Sequence, residues 1–135
     1  MVVIQFIRPS RNLNSGPFPQ DIGHVYMVPA SVRTILETAC YDCHSNNTRY
    51  PWYANLQPVG WMLASHVKNG KSELNFSEFG SYSAKRQLNK LKRMRSEIVK
   101  GDMPLSSYTL IHTDARLDAV QKDSILHWID SVVPQ

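Results

Sequence analysis

Cys40-Tyr41-Asp42-Cys43-His44 is the stretch that decides how this chain is read. Two cysteines separated by two residues, with a histidine directly after the second, form the attachment pattern of c-type haem. On a helix the two sulfurs share a face and can reach the two vinyl groups of one porphyrin, while the adjacent imidazole turns to the iron. The pattern uses both cysteines of the chain and follows directly on a stretch with helical periodicity.

Three other chemistries draw on the same residues. A dithiol redox pair normally sits at a helix N-terminus after a strand, where the dipole lowers the thiol pKa, and no convincing strand precedes Cys40. Zinc needs four ligands, so Cys40, Cys43 and His44 would have to recruit one of His24, His66, His112 or His127, none of which has a paired zinc-finger spacing. A structural disulfide would close only a very small loop.

Working outward, 135 residues with 42% apolar and 19% charged content suit one globular domain. The net charge of +4 is too small and too dispersed to suggest nucleic acid, for which there is no recognition motif. Val2-Val3-Ile4-Gln5-Phe6-Ile7 is a short apolar run closed by Arg8-Pro9. It falls far short of the roughly 20 residues that cross a bilayer and of a complete signal peptide. It reads either as the trailing end of an N-terminal membrane anchor or as a strand or apolar tail packed on the domain. Covalent haem attachment argues separately for export, to the periplasm or to a membrane-anchored position facing it. Pro9, Pro17 and Pro19 with Gly16 and Gly23 mark an extended linker. Residues 1–23 are therefore expected to be anchor remnant and linker, and residues 24–135 the haem c-binding domain. His24 and Met27, at the start of that domain, are expected to be surface or packing residues.

Four helices are predicted. The first follows Pro29, with Ser31 as cap and Val32, Ile35, Leu36 and Ala39 at helical spacing, and it delivers Cys40. Ser45-Asn46-Asn47 ends it, and Thr48 to Tyr53 forms an aromatic-rich loop. Asn46-Asn47-Thr48 also matches a glycosylation acceptor, of little weight beside a haem attachment site. The second helix starts at Pro58 and stops at Asn69-Gly70. A loop from Leu74 to Tyr82 is pinned by Phe76 and Phe79. The third helix spans Ser83 to Lys100, with Leu88, Leu91, Met94, Ile98 and Val99 inside, and Gly101 closes it. The fourth runs from Asp118 to Val132 with Val120, Ile125, Leu126, Trp128 and Ile129 on its apolar side.

Helix, Cys-x-x-Cys-His, aromatic loop, Met-Pro loop and C-terminal helix, in that order, resemble a class I c-type cytochrome. More narrowly, Cys40 through Tyr53, with His66-Val67, Met103-Pro104-Leu105 and Trp128, resembles the bacterial haem-binding domain family over the region from Ser31 to Trp128. The resemblance implies an all-α, cytochrome c-like fold of about four helices around one covalently bound haem c per chain.

His44 is the expected proximal iron ligand. The sixth position stays open between two residues. Met103 sits in a loop stiffened by Pro104, far enough downstream to reach the opposite haem face, and methionine opposite histidine raises the potential and suits electron transfer. His66, on a helix with apolar neighbours, would give bis-histidine coordination instead. Met62 and His112 are further options, whereas Met94 reads as core and His127 as surface. Arg49, Tyr50 and Trp52 can donate hydrogen bonds to the haem carboxylates, or serve loop packing only. The expected function is a monomeric, monohaem electron carrier of the cell envelope, working with a redox partner protein whose identity the residues do not specify. An open distal site would make it a gas-binding, sensing or peroxidase-like domain, although no acid/base and cation pair for the last can be placed.

Overall fold

Residues 2–134 are described by a computed structural model. Among these residues seven α-helices follow one another: α1 (Ile22–Val25), α2 (Ala30–Ala39), α3 (Tyr41–His44), α4 (Val59–Glu73), α5 (Ala84–Lys100), α6 (Ser106–Thr109) and α7 (Ala119–Val132). Short 3₁₀ turns lie at Val3–Phe6, Trp52–Asn55, Phe76–Ser81 and Thr113–Ala115. Among the described residues there is no strand. The fold is all-α, and its longer helices, α2, α4, α5 and α7, are the four that the periodicity predicts.

Local chemistry explains most helix ends. Pro29 is the N-cap of α2 and its carbonyl accepts from Arg33 N at 2.8 Å, so Ser31, the expected cap, lies exposed within the first turn. Cys40 departs from helical geometry (φ −124°, ψ −38°), which breaks the chain into α2 and the separate turn α3. The Ser83 Oγ accepts from Arg86 N at 3.3 Å to start α5. Gly101 closes it at φ 78°, with Gly101 N donating to the Ile98 carbonyl and Asp102 N to that of Glu97, the Schellman pairing that needs a left-handed residue. Asp118 and Gln121 cap α7 reciprocally.

The expected end of the second helix at Gly70 is corrected. The helix α4 continues through Gly70 to Glu73, because α3 packs onto it there. A Cβ on Gly70 would lie 2.5 Å from the Cys43 carbonyl oxygen, so the glycine permits a close approach and does not terminate the helix.

The core joins Val32 and Leu36 of α2, Phe76 and Phe79, Leu91, Met94 and Ile98 of α5, and Ile125, Trp128 and Ile129 of α7. Phe76 and Phe79 are fully buried, as expected of residues that pin their segment, although that segment coils into 3₁₀ turns. Val99 and Val120, expected on the inner faces of their helices, are exposed, because each lies outside the stripe formed by its buried neighbours.

The segment from Pro9 to Gln20 has neither helix nor strand, but it is bound along the domain. Asn12 donates to the Ser45 carbonyl (2.8 Å) and Thr48 Oγ1 (3.0 Å), and its own carbonyl accepts from Thr48 N at 2.9 Å. Ile22, the first residue of α1, belongs to the core. No helix among the described residues is long and apolar enough to cross a membrane.

Candidate functional site

The two residues between the cysteines are tethered in opposite directions. Tyr41 stacks on Phe76 at 5.1 Å between ring centroids and donates to Asp21 Oδ2 at 3.1 Å. Asp42 is buried and accepts from Arg49 N (3.0 Å), Nε (3.2 Å) and Nη2 (3.1 Å), and from the Tyr108 hydroxyl at 2.7 Å. Burial and the Asp42 carboxylate push the Tyr108 phenol above its ordinary pKa, which keeps it a donor. The turn carrying Cys40, Cys43 and His44 is thereby held at both spacer positions.

His44 is oriented from behind. Its Nδ1 lies 2.8 Å from the Leu74 carbonyl oxygen and its ring meets Phe76 edge to face. A carbonyl only accepts, so Nδ1 carries the proton and Nε2 keeps its lone pair. Burial lowers the His44 pKa, which favours this neutral ring. Metal-ligating histidines are generally fixed by the same kind of bond, from the ring nitrogen that does not face the metal to a carbonyl or carboxylate oxygen.

His44 opens onto a cleft. Cys40, Met103 and Pro104 line it together with Ala39, Phe76, Met94, Ile98 and Leu117, and Glu73, Lys90, Arg93 and Glu97 complete the lining. A cavity of about 180 Å³ sits within a wider open space of about 850 Å³. Met103 therefore shares one cleft with His44 and Cys40, whereas His66, half-buried on α4, is not among its lining residues. Met62 is exposed, and His112 shares a hydrogen bond with the Tyr53 hydroxyl while stacking on Tyr108 at 4.4 Å. Met94, expected as core, is both buried and part of the cleft wall.

Arg49, Tyr50 and Trp52, the residues expected at the haem carboxylates, have other neighbours in this structure. Arg49 is committed to Asp42. The Tyr50 hydroxyl accepts from Asn12 N at 2.7 Å and its ring lies under Arg11. Trp52 stands 76% exposed. None of the three lines the cleft. The cations that do are Lys90 and Arg93, with Arg93 Nη1 2.9 Å from Glu73 Oε2 and Lys90 Nζ donating to the Glu73 carbonyl. Lys90, Arg93, Met94, Glu97 and Ile98 occupy one i, i+3, i+4, i+7, i+8 stripe of α5, a pattern visible in the sequence once that stripe is drawn. The Leu74 carbonyl is a backbone group and leaves no trace in sequence.

The donor set suits haem better than the competing chemistries. Both thiols are free. Burial pushes Cys40 up to about 12, with a further contribution from Cys43, and Cys43 up to about 11, with a contribution from Asp42. A dithiol redox pair requires the opposite shift. Among the described residues no group of three or more His, Cys, Asp or Glu side chains converges as a metal site, and zinc takes four ligands. A single imidazole over an apolar slot with a thioether alongside is what haem iron takes.

Comparison with curated proteins and with solved structures finds no match. Residues 1–131, nearly the whole chain, match the family described as haem-binding domain. With a cleft that presents an oriented imidazole, this places the chain in the haem-binding domain family.

Proposed function

We propose that the chain is a c-type cytochrome domain that carries single electrons in the cell envelope. The observation that supports this most is the shared cleft: Cys40, His44 and Met103 border one apolar space. In this reading the Cys40 and Cys43 thiols would hold the porphyrin by thioether bonds, and His44 Nε2 and Met103 Sδ would be the ligands to the iron. Bound haem supplies an iron that cycles between ferric and ferrous states, at a potential set by ligands, burial and hydrogen bonds. The chain's part is to exclude water with Phe76, Met94, Ile98 and Leu117, and to hold His44 through Leu74. Lys90 and Arg93 at the rim give the cofactor's carboxylates a cationic border.

Export with the cytochrome maturation machinery tests the proposal. Each thiol adds across a vinyl double bond without loss of atoms, so the intact mass should equal chain plus haem. The spectrum should be low-spin and six-coordinate. Met103→Ala should convert it to high spin and open the iron to carbon monoxide, while His66→Ala should leave it unchanged. A mass equal to the bare chain after competent maturation overturns covalent attachment. A low-spin spectrum untouched by Met103→Ala overturns the sixth ligand, and carbon monoxide binding by the unsubstituted protein favours a gas-binding domain over a carrier.

A further inference from the structure

Charge is divided unevenly along this chain. Residues 1–20 and 43–72 contain no aspartate or glutamate and carry five cations, Arg8, Arg11, Arg49, Lys68 and Lys71. The fold joins these two stretches. Gln5 Nε2 donates to the Gln57 carbonyl at 3.2 Å, and Gln57 N returns a bond to Gln5 Oε1 at 3.0 Å. Trp61 Nε1 donates to the Ile7 carbonyl at 2.8 Å, and Lys71 Nζ to Asn12 Oδ1 at 2.7 Å.

The surface so formed is also apolar. Val2, Val3, Phe6 and Ile7 stand in solvent, Phe6 at 81% exposure. Around the residues that anchor this turn, Trp52, Leu56, Trp61 and Met62 are exposed as well. Eight of the fifteen large exposed hydrophobics among the described residues thus belong to segments that hydrogen bonds hold together. Next to them a groove of about 600 Å³ separates residues 9–12 from α4, with Arg11, Lys68 and Lys71 in its lining and no acidic residue.

We propose that this face docks on an anionic lipid bilayer, with the turn at Val3–Phe6 and the Trp52 and Trp61 indoles entering the headgroup boundary. Indoles favour that boundary because they have an apolar body and a polar tip. Apolar insertion and attraction of cations to anionic lipid add to one another. An acidic protein would account for the cations but not for the exposed aliphatic turn beside them. The helix α4 connects this face to the haem cleft: Trp61 is near its start and Glu73 of the cleft rim at its end, about 18 Å apart at 1.5 Å per residue. None of this depends on the cofactor being bound.

The test floats the 135-residue chain with vesicles of phosphatidylcholine alone, or mixed with phosphatidylglycerol. The chain should rise with the anionic vesicles and be released by high salt. The double variant Phe6→Ser/Ile7→Ser, at two exposed positions outside the core, should weaken binding about tenfold or more, and Arg8→Glu/Lys68→Glu should do the same. Val99→Ser/Val120→Ser, exposed on α5 and α7, should bind as the parent does. On vesicle addition the emission of Trp52 and Trp61 should shift to the blue, assigned with Trp52→Phe and Trp61→Phe, while buried Trp128 does not respond. Three results overturn the proposal: no flotation with either vesicle, flotation indifferent to Phe6→Ser/Ile7→Ser, or a dimer in solution that this variant abolishes without any vesicle binding. Haem content measured on the same preparations separates a failure here from a failure of the cofactor assignment.

Discussion

Asp42 shows how much one spacer residue can do. It is buried between the two cysteines and takes four hydrogen bonds, three from Arg49 and one from Tyr108. Hydrogen bonds to a charged group contribute about 1.5–3 kcal/mol each when the group is buried, but the Arg49 side chain is largely exposed, so its share is screened. Asp42→Asn should cost about 2 kcal/mol, read as a lower urea midpoint at unchanged slope. Tyr108→Phe, which removes one donor, should cost about 1 kcal/mol. Loosening the turn between the cysteines should also slow haem incorporation in both variants, measured as the loaded fraction after a fixed maturation time. Equal stability in parent and Asp42→Asn would mean that the Asp42 bonds contribute nothing net.

At the scale of elements, the contact between α3 and α4 sets where the cysteines stand relative to the cleft. Gly70 allows it. In an exposed helix interior Gly→Ala stabilises by about 1 kcal/mol, yet here the added Cβ meets the Cys43 carbonyl. Overpacking against backbone costs about 1–3 kcal/mol, so Gly70→Ala should be net destabilising. It should also shift the His44 environment, visible as a change in the holoprotein's near-UV dichroism. Gly101 offers the contrast: nothing lies near its Cβ position, and Gly101→Ala should cost only the left-handed backbone penalty of about 1 kcal/mol. Stabilisation by Gly70→Ala would show that α3 does not press on α4.

For the whole molecule, the cleft is the part of the core that the protein cannot fill with its own side chains. Its walls include Phe76, Met94 and Ile98, which also belong to the hydrophobic core. Filling it with haem should stabilise the native state by mass action or covalent linkage. The Cys40→Ala/Cys43→Ala variant without cofactor should therefore keep its helical far-UV signal but melt at a lower temperature than the loaded parent. Within the core itself, Leu91→Ala should cost about 3 kcal/mol, because Leu91 is fully buried on α5. Identical melting of loaded parent and empty variant would mean that haem does not complete the core.

Local spacing carried the haem assignment, since Cys40, Cys43 and His44 lie within one turn and their relation is set by covalent geometry and helix rise. Periodicity carried the all-α class and the four longer helices, because the stripe of buried residues on α5 and α7 repeats at 3.6. What depends on elements distant in sequence was decided only by packing. Nothing local distinguishes Arg49 as the partner of Asp42 from Arg49 at a haem carboxylate, or Gly70 as a contact from Gly70 as a stop. Likewise, the exposure of Phe6 beside Trp61 follows from hydrogen bonds that span more than fifty residues, Gln5 to Gln57 and Trp61 to Ile7. Those partners are chosen by the shape of the folded chain, which no short window of sequence contains.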